Sequence, residues 1–427
     1  MNASFQSASL RERHRNGKIF SALFFASTLF AIVSLVTLLA SVLDQTAGWV
    51  LIEYSIPEAD IVPSDDEGNP IPLASLESEG LLSILDENLG GRRLKALDLE
   101  KPLAERSPGD LRELIIAEVL EPSVVRSWNF AESMLSRESI FQWAAETVPE
   151  GSLVFRWWIS SSFLSHSQSS NALFAGVRSA ILGSFMTIVL TILIAFPLGL
   201  GAAIYLEEYA RDNRINRFIK TNIYNLSGVP SIIYGMLGLG IFVRFMAPLT
   251  SGALFSAASA AGDSVPLEAA ALAADGRTIL SASLTLALLI LPMLIINAQE
   301  AIRAVPRTLR ESGYALGATR WQVIFHHVLP SSMDRILTGT VLAVSRGIGE
   351  TAPLVLVGAS TFLTQDPTGI FSKFTTLPIQ IYQWTSRPQS EFRNIAAAAI
   401  VVLMVLLMSL NSAAIILRNK FRSQRRV

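Results

Sequence analysis

Residues 299–322 read QEAIRAVPRTLRESGYALGATRWQ, and this stretch decides the fold because long apolar runs lie on both sides of it. Pro306 suits the first turn of a helix, where its missing N–H is not needed. Residues then recur on one face at i, i+3, i+4 and i+7: Leu309, Ser312, Gly313 and Leu316. Gly317 permits a sharp turn, and a second short helix is predicted from Thr319 to Val328, ended by Pro330. The pattern predicts a helix–turn–helix on a membrane surface.

The rest of the chain is too apolar for an ordinary soluble enzyme, with 51% hydrophobic and 16% charged residues, against about 25% charged in soluble domains. A membrane-spanning helix needs about 20 mostly apolar residues. Five runs of about that length contain no Asp, Glu, Lys or Arg: 19–43, 179–206, 221–243, 278–299 and 394–417. A sixth candidate run, roughly 336–364, is interrupted by Arg346 and Glu350. We therefore predict an all-α polytopic membrane protein with six transmembrane helices.

Charge separates the remaining segments into two groups. Four segments (1–18, 207–220, 300–335 and 418–427) together hold 18 Lys and Arg against 7 Asp and Glu. By the positive-inside rule they are predicted to be cytoplasmic, with both termini. The domain plan is a cytoplasmic N-terminus 1–18, helix 1 over 19–43, an acidic extracytoplasmic insertion 44–172, a core 173–417 with helices 2–6 and the cytoplasmic loop 300–335, and a basic cytoplasmic tail 418–427.

The insertion carries 22 Asp and Glu against 9 Lys and Arg. Ser107 before Pro108 is typical of a helix N-terminus, and Glu121-Pro122 predicts where that helix ends. A second helical stretch is predicted around Phe130–Ala145. The insertion is therefore expected to be mostly helical, and it contains no recognisable catalytic or ligand-binding motif.

Several chemistries are excluded by composition. There is no cysteine, so disulfides and thiolate sites are absent. Four histidines make a multi-His metal site improbable, and His326-His327 do not share a helix face. No lysine lies in a G-x-x-x-x-G-K-[ST] phosphate loop, so the chain is not expected to hydrolyse ATP itself. We predict no catalytic residue, no metal, no cofactor and no nucleic-acid partner; the basic tail is expected to meet lipid headgroups.

The 299–330 loop resembles the "EAA" loop of ABC-importer permeases, with Ser312 and Gly313 in place of the two alanines. The resemblance implies the type I ABC-importer permease fold, and a coupling role toward a separate ABC ATPase dimer. The residues implied in coupling are Glu311, Gly313, Ala315, Gly317, Ala318, Thr319 and Arg320.

The stretch 339–353 contains R-x-x-G-E-T-A-P, which resembles the signature of phosphate-specific ABC permeases of the A type. An ionisable residue at membrane depth costs about 2.5–3.5 kcal/mol and is a functional candidate by default. We expect Arg346, Glu350 and Thr351 to lie on the substrate pathway; the alternative is an ion pair that only locks helices together. The resemblance further implies a homologous second permease and an extracytoplasmic phosphate-binding protein as partners in the inner membrane.

Two features depart from the resemblance. Many such permeases carry an arginine in the fourth span, where this chain has Ile296, so Arg346 is expected to do more, or Arg178 or Arg244 to substitute. The insertion is about 100 residues longer than the loop of relatives. The alternatives to phosphate transport are a permease for another oxyanion, such as molybdate or sulfate, and a membrane sensor; a secondary transporter would not need the coupling loop.

Overall fold

The structure, a computed structural model, describes residues 2–64, 70–149, 151–254, 275–359, 362–363 and 365–423. Three strands are found there: β1 Ala47–Tyr54, β2 Pro122–Ser127 and β3 Ser152–Trp157. The helices of the first part are α1 Asn2–Asp44, α2 Glu58–Ile61, α3 Ser78–Asn88, α4 Gly91–Glu100, α5 Pro108–Glu118, α6 Phe130–Leu135, α7 Arg137–Thr147 and α8 Ser161–Ser165. The helices of the second part are α9 Arg178–Ile204, α10 Arg214–Ser227, α11 Ser231–Gly238, α12 Ala247–Thr250, α13 Ile279–Arg303, α14 Arg307–Ala315, α15 Arg320–Val323, α16 Leu329–Gly349, α17 Ala352–Val357, α18 Leu377–Thr385 and α19 Ser390–Ser423.

Four of the described helices are long and apolar enough to cross a membrane, namely α1, α9, α13 and α19. Their positions match four of the six predicted runs. Helices α10 and α11, with the π-helical turns that follow α11, qualify only as a pair bent by 104°. We call the membrane face that carries 44–172 the insertion side and the face that carries 300–335 the loop side.

The third predicted run, 221–243, is not one straight helix. Helix α10 ends at Ser227 with Gly228 as its C-cap, and α11 begins after Pro230. Proline has no backbone N–H and disfavours helical geometry in the residue before it. The break therefore follows directly from the Gly228-Val229-Pro230 sequence.

The sixth predicted run is also broken. Helix α16 ends at Gly349, Glu350 is extended with ψ 116°, and α17 begins at Ala352. The ring of Pro353 would clash with the carbonyl group four residues earlier in a continuous helix, which is that of Gly349. Residues 360, 361 and 364 of this run lie outside the described residues.

The prediction that Pro330 ends the second loop helix was wrong. A π-helical turn, Ile324–Val328, follows α15 and leads directly into α16, with Pro330 in the first turn of α16. The wider π turn places the proline where its missing N–H is tolerated. The loop is consequently continuous with the long helix α16.

The insertion is mostly helical, as predicted, and α5 begins at the predicted position with a reciprocal Ser107–Asp110 capping box. It also holds a three-stranded antiparallel sheet in the order β2-β1-β3, which the sequence analysis did not predict. Its acidic helices α3 and α5 pack on each other around Leu81, Leu85 and Leu111, which are fully buried.

The sheet is joined to the membrane core by a shared hydrophobic cluster. Val50 and Ile52 of β1 are buried against residues at the start of α9 and against Ile395 of α19. Asn394 of α19 donates a hydrogen bond to the carbonyl oxygen of Gln45 (2.8 Å) and accepts one from Ser127 (2.8 Å). The insertion therefore packs on the membrane helices as part of the same body.

Small residues allow the central membrane helices to approach closely. The hydroxyl of Ser283 in α13 donates to the carbonyl oxygen of Thr187 in α9 at 3.0 Å. A Cβ at Gly238 of α11 would overlap the side chain of Thr285 in α13. Membrane helices lack a hydrophobic driving force between them, so such close contacts supply much of their association.

Candidate functional site

The loop side carries a helix–turn–helix of the predicted kind. Helix α14 ends at Ala315, and Gly317 has a φ of +80°, a region that a residue with a Cβ rarely adopts. The N–H of Ala318 donates to the carbonyl oxygen of Gly313 at 3.1 Å, which closes the turn. Thr319 and Gln322 then form a capping box that starts α15.

Within this turn, Gly313 is buried and most of the other predicted coupling residues are exposed. A Cβ at Gly313 would lie 2.9 Å from Cγ2 of Val323, so the two loop helices meet at this glycine. Leu316, at the tip, has 89% of its surface exposed. The predicted residues that are exposed or half-buried here are Glu311, Ala315, Gly317, Ala318, Thr319 and Arg320. The loop thus offers an apolar tip within a polar surface.

A buried ion pair holds this loop to the membrane helices. In α14, Nε and Nη2 of Arg310 lie 3.1 and 2.9 Å from Oε1 of Glu208, just beyond the end of α9. The same guanidinium donates to the carbonyl oxygens of Ile302 and Val305, at 2.9 and 2.6 Å, at the C-terminal end of α13. The side chains of Arg310 and Glu208 are 17% and 8% exposed. We call this contact the Arg310 corner; it joins three elements through one side chain.

More charges surround the corner. Glu207 lies 2.5 Å from Arg303 and 3.8 Å from Lys220, and its side chain is largely buried. A cavity of about 360 Å³ is lined by Glu207, Glu208, Arg303, Arg307, Arg310, Glu311 and Tyr314. Glu207, Glu208 and Arg310 were not among the predicted site residues. One sequence signal was available: two glutamates directly follow the apolar run 179–206, and several arginines follow the apolar run 278–299, so the two groups of charges were expected at the same membrane face.

The predicted pathway residues lie at the end of α16 and in the break that follows it. Nε of Arg346 lies 3.5 Å from Oε1 of Glu350, with side-chain exposures of 49% and 18%. Glu350 is the C-cap of α16, and Thr351 is the N-cap of α17 and half-buried. Next to Arg346, Ser345 donates a 2.7 Å hydrogen bond to Asn411 of α19. The pair is therefore open on one side and held by a single long contact.

Arg346 belongs to an exposed stripe along α16. The stripe also contains Arg335, Thr338, Leu342 and Gly349, spaced at three or four residues. Eleven residues separate Arg335 from Arg346, or about 16 Å at 1.5 Å per residue. That is about half the thickness of a 30 Å hydrocarbon core. A charged side chain within such a core would be costly unless it faced protein or water.

The structure also places the residues considered as substitutes for the missing arginine. Ile296 is half-buried on α13. Arg178, the first residue of α9, is 2.9 Å from Asp366 and donates to Ser167, so it is engaged on the insertion side. Arg244 is exposed in the π-helical segment after α11. Among the ion pairs and hydrogen bonds of the described residues, neither arginine shares a partner with Arg346.

A family model described as "Binding-protein-dependent transport system inner membrane component" matches residues 195–423, which is more than half of the chain. The chain belongs to this family. The match runs from α9 through the loop-side turn and α16 to α19. The matched region therefore contains both the Arg310 corner and Arg346, and the whole insertion lies outside it.

Curated relatives agree with this assignment. The chain is 30% identical over 266 residues to a probable ABC transporter permease protein, YqgI of Bacillus subtilis, covering 59% of this chain and 81% of that protein. It is 32% identical over 254 residues to the phosphate transport system permease protein PstA 1 of Mycobacterium tuberculosis, covering 59% and 72%. The chain is thus a multi-pass inner-membrane permease subunit of an ABC transporter.

Among solved structures, the chain resembles one of the MetNI methionine ABC transporter in an inward-facing conformation. The TM-score is 0.39 at 18% identity, covering 57% of this chain and 97% of that one. The permease assignment does not depend on that likeness.

Proposed function

We propose that this chain is one of two permease subunits of an ATP-driven importer of inorganic phosphate. The relatives named as phosphate transport permeases support this substrate, as does the R-x-x-G-E-T-A-P stretch that ends in the break after α16. In the proposed assembly, an extracytoplasmic binding protein delivers phosphate to a pore formed with a homologous permease, and an ABC ATPase dimer hydrolyses ATP.

The observation that carries the proposal is the half-exposed guanidinium of Arg346, which we place within the membrane. Its contact with Glu350 occupies Nε at 3.5 Å. Phosphate oxygens match the fork of an arginine, which binds such anions with paired, charge-assisted hydrogen bonds. An arriving phosphate would draw Arg346 from Glu350, and the hydroxyl of Thr351 would offer a neutral donor beside it. Return to Glu350 would release the anion.

The loop 300–335 is the proposed contact with the ATPase, through its exposed tip. Loop-side segments are proposed to be cytoplasmic with both termini, because they carry most of the Lys and Arg outside the spans. The predicted coupling residues Glu311, Ala315, Gly317, Ala318, Thr319 and Arg320 would form this surface, and the buried Gly313 would hold the two loop helices together behind it. Movement of the loop would then pass through the Arg310 corner to α9 and α13.

Uptake of labelled phosphate by the complete transporter tests the pathway role of Arg346. Arg346→Gln should abolish uptake while the ATPase subunits still co-purify, because the exposed side chain does not hold the fold. The matched control is Arg335→Gln, which removes an arginine from the same stripe near the loop side and should retain uptake. Unchanged uptake by Arg346→Gln, with the ATPase present, would refute the role.

A permease for another oxyanion is the second candidate, because the coupling loop would be the same. Competition of labelled phosphate uptake by molybdate and sulfate separates the two. Phosphate transport predicts that neither anion competes at equal concentration. A membrane sensor predicts that the ligand binds but that the uptake assay on the complete transporter shows no ATP-dependent accumulation.

A further inference from the structure

The insertion consists of two parts with opposite composition. Residues 58–118, which include α2 to α5, contain no Phe, Tyr or Trp and hold most of the acidic residues. Residues 119–158, which include β2, β3, α6 and α7, contain seven aromatic residues. We call these parts the acidic lobe and the aromatic lobe. This difference in composition indicates that the two lobes are in contact with different environments.

The aromatic lobe carries a row of rings and aliphatic side chains, of which Phe155 is half-buried and the others are exposed. Ring centroids are 6.2 Å apart for Phe155–Trp157 and 6.3 Å for Phe130–Trp157. Trp157 is 60% exposed and Met134 is 56% exposed, and the neighbouring Leu135 reaches 87%. We call these five residues the aromatic face. So many large apolar side chains together are uncommon on a surface that meets only water.

This face lies directly beside the end of a membrane helix. Trp157 pairs with Ala47, which follows α1 by three residues. The N–H of Ala131, next to Phe130, donates to the carboxylate of Asp44, the last residue of α1, at 2.7 Å. The aromatic face is therefore at the height where α1 leaves the hydrocarbon core.

The orientation of the aromatic face is fixed by the packing of the sheet. The opposite side of β1 is buried on the membrane core through Val50 and Ile52. The apolar surface of α1 is exposed up to its insertion-side end, where Leu38 is 64% and Leu43 is 48% exposed. The aromatic face thus continues a surface that already requires lipid.

We propose that the aromatic face rests in the membrane interface on the insertion side, among lipid headgroups and the first methylene groups of the acyl chains. Tryptophan is enriched at this depth because its ring is apolar and its N–H is polar. Arg137, whose guanidinium lies 5.4 Å from the ring centroid of Phe141, follows Leu135 by two residues and meets the lipid phosphates. The acidic lobe stands in water above this contact.

The absence of cysteine in the chain allows a direct test by spin labelling. Leu135 in the aromatic face and Leu99 in the acidic lobe are both leucines with 87% exposure, so they form a matched pair. Each is replaced by cysteine in the full-length chain, labelled with a nitroxide and reconstituted in phosphatidylcholine–phosphatidylglycerol vesicles with the partner subunits, whose cysteines have been replaced. Phe30→Cys on α1 gives the reference for lipid.

The measurement is the accessibility of each label to oxygen, which concentrates in lipid, relative to a water-soluble nickel chelate. Leu135→Cys should give a ratio severalfold above that of Leu99→Cys and closer to that of Phe30→Cys. Equal ratios at 135 and 99 would overturn the proposal. A label at 135 that is immobile and shielded from both reagents would also overturn it, because a protein partner would then cover the aromatic face. Retained co-purification of the partners shows that the variants are folded.

Discussion

Two arginine–glutamate pairs in this chain use the same chemistry in opposite ways. In the Arg310 corner, both side chains are largely buried, and the guanidinium bonds one carboxylate and two carbonyl oxygens. The Arg346–Glu350 pair has one contact at 3.5 Å and an arginine that is half exposed. A saturated guanidinium fixes helices in place, whereas an unsaturated one remains available to an anion. The difference separates a structural charge from the proposed transport charge.

The largest predicted effect is on the buried pair. Arg310→Met leaves Glu208 as a buried, unpaired charge, which should destabilise the protein by about 3–5 kcal/mol. Arg346→Met should change stability by about 0–1 kcal/mol, as expected of an exposed pair. The midpoint of thermal unfolding in mild detergent measures both.

The double variant Glu208→Gln with Arg310→Met serves as the control. Removing both charges should recover much of the loss, because no buried charge remains without a partner. Equal loss of stability in Arg310→Met and Arg346→Met would contradict the distinction between the two pairs.

The next effect concerns the helix that carries the corner. Gly313→Val places methyl groups against Val323, where a Cβ would already be at 2.9 Å. Overpacking of this kind costs about 1–3 kcal/mol, so α14 should tilt and less ATPase should co-purify. Ser312→Ala, at an exposed neighbouring position whose hydroxyl bonds only within α14, should leave co-purification unchanged. If Gly313→Val co-purified with a normal amount of ATPase, binding of the ATPase would not depend on the close packing of the two loop helices at Gly313.

A smaller effect is expected from the exposed pair, Arg346–Glu350. Glu350→Gln removes the carboxylate that competes with the anion for Arg346. The KM for phosphate uptake should fall by about two- to fivefold, equivalent to a contact of up to about 1 kcal/mol, with little change in the unfolding midpoint. A rise in KM would mean that Glu350 positions Arg346 for the anion instead of competing with it.

The smallest effect lies in the acidic lobe. The side chain of Lys101 donates a 3.3 Å hydrogen bond to Asp110, which lowers the pKa of this carboxyl group below its usual value. A lowered folded-state pKa means that the stabilisation is present above the unfolded-state pKa and is lost as the pH falls through the folded-state value. Asp110→Asn should remove this part of the acid sensitivity of unfolding. Asp86→Asn, an exposed carboxylate on α3, should not.

The apolar runs and the loop-side turn could be predicted because length, charge and glycine placement are local properties. The break after α16 and the bend at Pro230 depend on the position of a single proline ring relative to the preceding backbone. The average hydrophobicity of an apolar run does not contain that information. The Arg310 corner joins residues about a hundred positions apart, so no local pattern reveals it. The sheet was missed because β2 and β3 pair with β1 over separations of about 70 to 110 positions, and their residues alternate poorly between buried and exposed.

The hydrophobic cluster shared by β1 and α19 has a consequence for biosynthesis. Val50 is made early, and Ile395, which closes the same cluster, is made near the end of the chain. At ribosomal rates of about 5–20 residues per second, roughly 20–70 s separate the two. During this interval the cluster lacks the part that α19 supplies, although β1 can already pack on the start of α9. The insertion is therefore fully seated on the membrane core only after the last membrane helix has been made.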